Sequence, residues 1–334
     1  MNYRTLGRSG LRVSPLALGA MLFGDAQRGC DRATAHEILA RYVEAGGNVV
    51  DTANIYAGGR SEEIVGEFLS RQRDRIVLAT KFGGSMTPGD PNAGGGGRKA
   101  IMQQVEGSLR RLGTDYIDLY WLHGQDPHTG IQETMSTLDD LVRSGKLRHI
   151  GFSDTPAWQV ARAGTIAELR GWAPLVALQP EYSLLARTVE GETFGVAREL
   201  GLGVMPWSPL AGGVLSGRHT RDGHAADSGR VARFPLTEAT FAVVDRLRAI
   251  ADRQDSTVPA VALAWVSRQP LVSSVIIGTR SVDQLAGNMA SLDVTFTADE
   301  LADLETMTRP ELGFPYQHLA GMAQLQQAGV IINA

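Results

Sequence analysis

The sequence predicts an α/β protein, a (β/α)8 barrel with an N-terminal β-hairpin ahead of it and a C-terminal extension behind it. Two observations carry this. From residue 16 onward, eight apolar runs of strand length alternate with amphipathic helical patterns, the mark of repeated βα units and a parallel sheet. Eight strands each followed by a helix close more naturally as a barrel than as an open sheet. An open dinucleotide-binding sheet would want G-x-G-x-x-G after an early strand, but the nearest candidate, LGLGVM at 200–205, lacks the third glycine and enters a strand instead of leaving one.

The segment YRTLGRSGLRVS reads as a hairpin turning around Gly7 to Gly10 and placed to plug the barrel floor. The eight strand runs are PLALG (15–19), NVVD (48–51), RIVLATK (75–81), YIDLYWLH (116–123), HIGFS (149–153), LVALQ (175–179), GVMPW (203–207) and SVIIG (274–278). Between them fall helical patterns at about 32–45, 61–70, 98–111, 131–144, 156–168, 188–200, one long stretch at 238–268, and 281–291. Ser61, Thr134, Thr188 and Ser281 stand where a hydroxyl would accept backbone N–H groups at a helix start. The division is therefore a hairpin over 1–14, a barrel over about 15–292 and a tail over 293–334, all within a single domain spanning 1–334. Two connections are long for a barrel, 83–97 with four consecutive glycines at 94–97, and 211–237. Such segments are lids or linkers.

With a net charge of −4 and 43% hydrophobic residues, the chain has no electrostatic bias toward nucleic acid or acidic membranes. Cys30 is the only cysteine, which excludes an internal disulfide or a cysteine metal cluster and fits a cytoplasmic setting. No metal site is expected. The N-terminus, with Arg4, Arg8 and Arg12, lacks a signal-peptide core, and no stretch gives eighteen apolar residues in a row.

All strand C-termini of a parallel barrel open on one face, so polar residues ending different strands converge there. Asp51 closes the second strand, with Tyr56 just beyond it; Lys81 closes the third and His123 the fourth. A phenol is a poor acid at neutral pH, with a reference pKa near ~10, but a neighbouring ammonium stabilises its phenolate. Lys81 supplies that charge, and Asp51 supplies the carboxylate a buried ammonium needs. A neutral His123 can donate an N–H to a carbonyl oxygen. The set suits reduction of a ketone or aldehyde, and the hydride must come from a nicotinamide cofactor across the same mouth. Ser153, Asp154 and Gln179 are placed to bond its carboxamide, and Trp207 to stack on its ring. In IIGTRSVDQLAGN, Gly278, Thr279 and Ser281 suit a phosphate, Arg280 suits the ribose 2′-phosphate of NADP, and Gln284 and Asn288 share a helix face that could reach an adenine.

Together the segments GRSGLRVSPLALGAMLFG, DTANIYAGGRSEEIVGEFL, LRRLGTDYIDLYWLH, SGKLRHIGFSD, ALQPEYSLLAR, MPWSPLAGGVLSG and IIGTRSVDQLAGN resemble the aldo-keto reductases, nearest the bacterial and plant branch with long chains. The resemblance implies a barrel binding NADPH without a Rossmann domain and a catalytic tetrad at Asp51, Tyr56, Lys81 and His123, with Tyr56 as acid. It implies carboxamide contacts at Ser153, Asp154 and Gln179, and a stacking aromatic at Trp207. The pyrophosphate loop falls on Ser208, Leu210 and Gly212, and the adenosine-phosphate site on Gly278, Thr279, Arg280, Gln284 and Asn288. Three positions depart from the family pattern: Asp154 where Asn is usual, Gly287 in place of a frequent acidic contact to the adenine, and Pro180 where a polar residue is usual. The expectation is an NADPH-dependent reductase of a small carbonyl substrate. Two alternatives stand beside it, a non-catalytic NADPH-binding regulatory subunit of the same fold, and an aldolase or isomerase using Lys81 as a Schiff base. Phe23, Phe82, Trp121 and Tyr182 are expected near the pocket, and Phe314, Tyr316 and His318 of the tail, with the two long loops, are expected to shape specificity.

Overall fold

The computed structural model describes residues 1–70, 72–221 and 231–327. Part of the 211–237 connection, 222–230, and the tail beyond 327 lie outside the described residues. The hairpin pairs β1 (Arg4–Thr5) with β2 (Arg12–Val13). The eight barrel strands follow: β3 (Leu16–Gly19), β4 (Val49–Asp51), β5 (Val77–Phe82), β6 (Ile117–Leu122), β7 (Leu147–Ser153), β8 (Leu175–Gln179), β9 (Gly203–Val204) and β10 (Val275–Gly278). All eight are parallel, in the order β10-β3-β4-β5-β6-β7-β8-β9. Three backbone bonds close the ring, from Val204 N to Leu271 O at 2.8 Å, from Ser273 N to Val204 O at 2.9 Å and from Ile276 N to Pro206 O at 2.9 Å.

The strands bury both faces, as a parallel barrel must. Leu16, Leu18, Val50, Leu78 and Ile150 face the helical layer, whereas Ala17, Val49, Ala79, Leu119 and Met205 pack in a separate interior cluster. Leu6 and Val13 of the hairpin are wholly buried in that interior cluster, so the hairpin does plug the barrel. Trp121 is the largest interior side chain. It fits because Gly151 stands on the neighbouring strand; a Cβ there would lie 2.3 Å from the indole ring and 2.9 Å from the Ala177 carbonyl oxygen. Gly151→Ala is expected to lower stability by about 1–3 kcal/mol through overpacking, read as a shifted denaturation midpoint; an unchanged midpoint would show that the interior has slack.

Around the barrel run α1 (Arg32–Glu44), α2 (Arg60–Leu69), α3 (Arg98–Leu112), α4 (Ile131–Arg143), α5 (Ala157–Arg170), α6 (Glu192–Leu200), α7 (Glu238–Asp252), α8 (Val258–Ser267) and α9 (Val282–Met289), followed by α10 (Ala298–Thr308) and α11 (Tyr316–Gln327) in the extension. Several sequence expectations are corrected. The stretch 238–268 is two helices, because the chain turns at Asp255 with φ 50° and restarts at the Thr257 cap with a proline in the first turn. The seventh strand stops at Val204, since Pro206 has no N–H to continue the ladder. Of the four expected caps only Ser281 acts as one, accepting from Gln284 N. Ser61 and Thr134 lie inside their helices and donate to the carbonyls of Ala20 and Gly96, and Thr188 begins a short 3-10 turn ahead of α6. No helix among the described residues is long and apolar enough to cross a membrane.

Candidate active site

The period-two alternation of the strands decides which side chains reach the mouth. Val49 and Asp51 point inward on β4, as do Val77, Ala79 and Lys81 on β5, and Leu119 and Trp121 on β6, with His123 next in phase. Gln179 continues the inward phase of β8, and Ser153, paired in register with Gln179, ends β7. Tyr56 arrives differently, on a tight turn after β4. Ala57, Gly58 and Gly59 are all left-handed, with φ of 48°, 65° and 94°, and lead directly into α2. A left-handed alanine is costly by roughly 1–2 kcal/mol, strain of the sort stored at functional sites.

The structure brings the four together. The Lys81 ammonium donates to Asp51 Oδ1 and, at 2.9 Å, to the Thr52 carbonyl. The second Asp51 oxygen accepts from Gln179 Nε2 at 3.0 Å. Lys81 and Asp51 are 1% and 3% exposed, so this is a buried ion pair. Burial alone would lower the lysine pKa, but the Asp51 carboxylate and then the Tyr56 hydroxyl outweigh it and hold the group above its ordinary value as an ammonium. The ammonium sits 4.9 Å from the centre of the half-buried Tyr56 ring. The His123 imidazole meets that ring edge-on, with centroids 5.6 Å apart. Burial, reinforced by the Lys81 charge, pushes the His123 pKa down to about 4, so the ring is neutral at pH 7 and can donate an N–H. A half-buried phenol thus has both a fixed cation and a neutral imidazole beside its ring.

Beside them, Ser153 Oγ donates to the Gln179 carbonyl at 2.8 Å. Asp154 adopts φ 40° at the end of β7 and accepts from the Trp207 indole Nε1 at 3.0 Å. Although solvent-accessible, Asp154 is hemmed in by enough protein that lost hydration raises its carboxyl pKa; the indole bond lowers it, Glu181 raises it, and Lys81 and Arg233 lower it. Arg233 lies 5.6 Å from the Trp207 ring and pairs with Glu181 at 2.7 Å. Pro180 presents its carbonyl to Trp207 N, anchoring the strand that carries the indole. Ser208 accepts at Oγ from Gly212 N, in a loop where Ser208, Ala211 and Gly212 are left-handed and Leu210 links the turns.

Across the mouth, the loop after β10 is tied to its own helix. Thr279 Oγ1 donates to the Ser281 carbonyl, Arg280 N donates to Gln284 Oε1, and Asn288 Nδ2 donates to the Gly278 carbonyl. The two amides expected to reach an adenine are thus partly engaged in holding the loop. Arg280 is exposed and has no carboxylate partner among the described residues. A Cβ at Gly278 would meet nothing within 4 Å, so protein packing does not require a glycine there. Closeness to a bound group would.

Other expectations are corrected. Phe23, Phe82 and Tyr182 are fully buried in the outer layer and do not line the mouth: Phe82 stacks on Tyr120, and Tyr182 packs on Phe194 and Trp265, whereas Trp121, also buried, points into the barrel in register with Lys81 and two residues before His123. The glycines at 94–97 are not a free linker. Asp126 accepts from Gly96 N at 2.7 Å, and a Cβ on Gly95, at φ 82°, would sit 2.5 Å from that carboxylate. In the tail, Tyr316 donates to Glu192, while Phe314 is 88% exposed and His318 is exposed. Sequence reasoning missed Glu181 and Arg233, which have no periodic signal, and Asn54 and Gln104, which hold the loop after β5 through bonds to Gly84 O and from Gly83 N. A groove of about 760 Å³ opens at the opposite end of the barrel, beside Arg4, Arg268 and Asp293, away from these groups.

A model described as the aldo/keto reductase family matches residues 15–309. Norsolorinic acid reductase B of Dothistroma septosporum is 34% identical over 335 residues, 96% of this chain and 85% of that protein. The uncharacterized oxidoreductase YrpG of Bacillus subtilis is 37% identical, over 90% of this chain and 94% of its own length. A probable voltage-gated potassium channel subunit beta of Oryza sativa is 36% identical, over 88% of this chain and 92% of its own length.

Proposed function

Because this chain belongs to the aldo/keto reductase family, we propose that it is an NADPH-dependent carbonyl reductase in which Tyr56 donates a proton to the oxygen of an aldehyde or ketone. The observation that carries the reading is the Tyr56 ring lying 4.9 Å from the ammonium of a buried Lys81–Asp51 pair. A phenol that gives up its proton leaves a phenolate, and a fixed cation beside it stabilises that charge without reorganisation. His123, neutral, donates an N–H to the carbonyl oxygen and orients it toward the phenol. The nicotinamide, when bound, supplies the hydride. Trp207 offers a face for its ring, Ser153 and Gln179 offer polar groups for its carboxamide, and Ser208, Leu210 and Gly212 line its pyrophosphate path. Arg280, exposed and without a carboxylate partner, suits the 2′-phosphate, beside Thr279 and the Ser281-capped start of α9. Cytoplasmic residence belongs to the same reading.

Two observations bear on the alternatives. Lys81 is held as an ammonium by Asp51, which works against a Schiff base, since that chemistry needs the neutral amine. The likeness to a channel subunit favours a regulatory role as the second reading. The test is a panel of aldehydes, ketones and keto-sugars, followed by loss of NADPH absorbance with NADH alongside. Turnover is expected with NADPH; tight NADPH binding with no turnover on any carbonyl would favour the regulatory subunit.

His123 also sets a pH limit. Its pKa is depressed in the fold, so its stabilising contribution is full above the unfolded value near 6.5 and is lost as pH falls through about 4. Turnover is therefore expected to pass through pH 6.5 with no step from this residue and to fall near pH 4. A loss centred at pH 6.5 and abolished by His123→Gln would contradict the neutral imidazole.

A further inference from the structure

Across the mouth Arg280 stands without a carboxylate partner among the described residues, but around the Trp207 indole the charges do not cancel. Lys81 is matched by Asp51, Arg233 by Glu181, and His123 is neutral at pH 7. Asp154 remains, a solvent-accessible carboxylate with no ion-pair partner among the described residues. Its position is fixed, because it holds the Trp207 indole through the 3.0 Å bond to Nε1. A flat ring stacked on that indole would lie near the carboxylate. An asparagine at 154 would accept the same bond without a charge, so orienting the indole does not by itself call for an acid.

Oxidised and reduced nicotinamide dinucleotides carry the same phosphates and differ in the ring, which is cationic when oxidised and neutral when reduced. We infer that the Asp154 carboxylate makes this site prefer the oxidised, cationic form of the cofactor over the reduced form. The inference rests on the NADPH reading above and specifies which redox state the site favours and which residue sets the preference. The same charge would favour hydride leaving the ring over hydride returning to it, so Asp154 biases the equilibrium within the site toward carbonyl reduction.

The test is equilibrium binding, with no turnover involved. Dissociation constants for NADP+ and for NADPH are measured by calorimetry at pH 8 on the unmodified protein, on Asp154→Asn and on Asp154→Ser. Contacts common to both dinucleotides cancel in the ratio of the two constants, leaving the ring charge. Removing the carboxylate is expected to shift that ratio toward NADPH by roughly tenfold in both variants, the size of one charge interaction across several ångströms at a half-wet site. If both dinucleotides bind and the ratio stays within about twofold, the inference fails while the cofactor reading survives. Binding of neither by the unmodified protein overturns both.

Discussion

Tyr56→Phe is expected to remove carbonyl reduction while leaving cofactor binding intact. The substitution deletes one oxygen from a half-buried ring that meets the His123 edge and lies beside the Lys81 ammonium, and a phenyl ring keeps both. The fold should therefore not notice. The proton, however, has no other source of the right kind in the described mouth: Lys81 is committed to Asp51 and Thr52, and His123 is already neutral and lacks an acidic proton. A positioned general acid is worth about 10²–10⁴-fold, so turnover should fall by at least that range. NADPH binding, followed through tryptophan fluorescence, should change by less than about twofold. A variant that keeps a tenth of its activity would remove Tyr56 from the reaction.

Lys81→Met is expected to cost both stability and activity, and a second substitution separates the two. Methionine leaves Asp51 as an uncompensated carboxylate 3% exposed, with only the Gln179 amide to solvate it. Breaking such a pair from one side costs about 3–5 kcal/mol, mostly the penalty of the stranded charge. Adding Asp51→Asn removes that charge and keeps an oxygen for Gln179, so most of the stability should return. Activity should not, because nothing then stabilises a phenolate at Tyr56. If the double variant recovers turnover together with its denaturation midpoint, the pair is a structural staple and nothing more.

Much of this was legible before any coordinates. Each parallel strand is buried on both faces, so it reads as a short continuous apolar run, and VLATKF or IDLYWL stands out for that reason. The same geometry made the tetrad readable, since a polar residue closing such a run must emerge at the mouth. Helix starts were less legible because a hydroxyl can accept or donate: Ser61 and Thr134 have the composition of caps, yet each donates to a carbonyl of a distant loop. Phe23, Phe82 and Tyr182 were misassigned for a related reason. Phe82 and Lys81 are neighbours in sequence, but strand alternation sends one to the helical layer and the other to the mouth. The Glu181–Arg233 pair, 52 residues apart and drawn from two irregular segments, had no pattern to betray it.

The central claim is that Tyr56, Lys81 and Asp51 act as one proton-donating unit, and non-additivity tests it most directly. Single-turnover oxidation of bound NADPH by an aldehyde substrate would be timed for Tyr56→Phe, for Asp51→Asn with Lys81→Met, and for all three changes together. The expected result is that the triple variant is no slower than Tyr56→Phe alone, because the pair has nothing left to assist once the phenol is gone. Losses that multiply, with the triple variant slower by the product of the two, would mean that the ion pair works independently of Tyr56 and would contradict the claim.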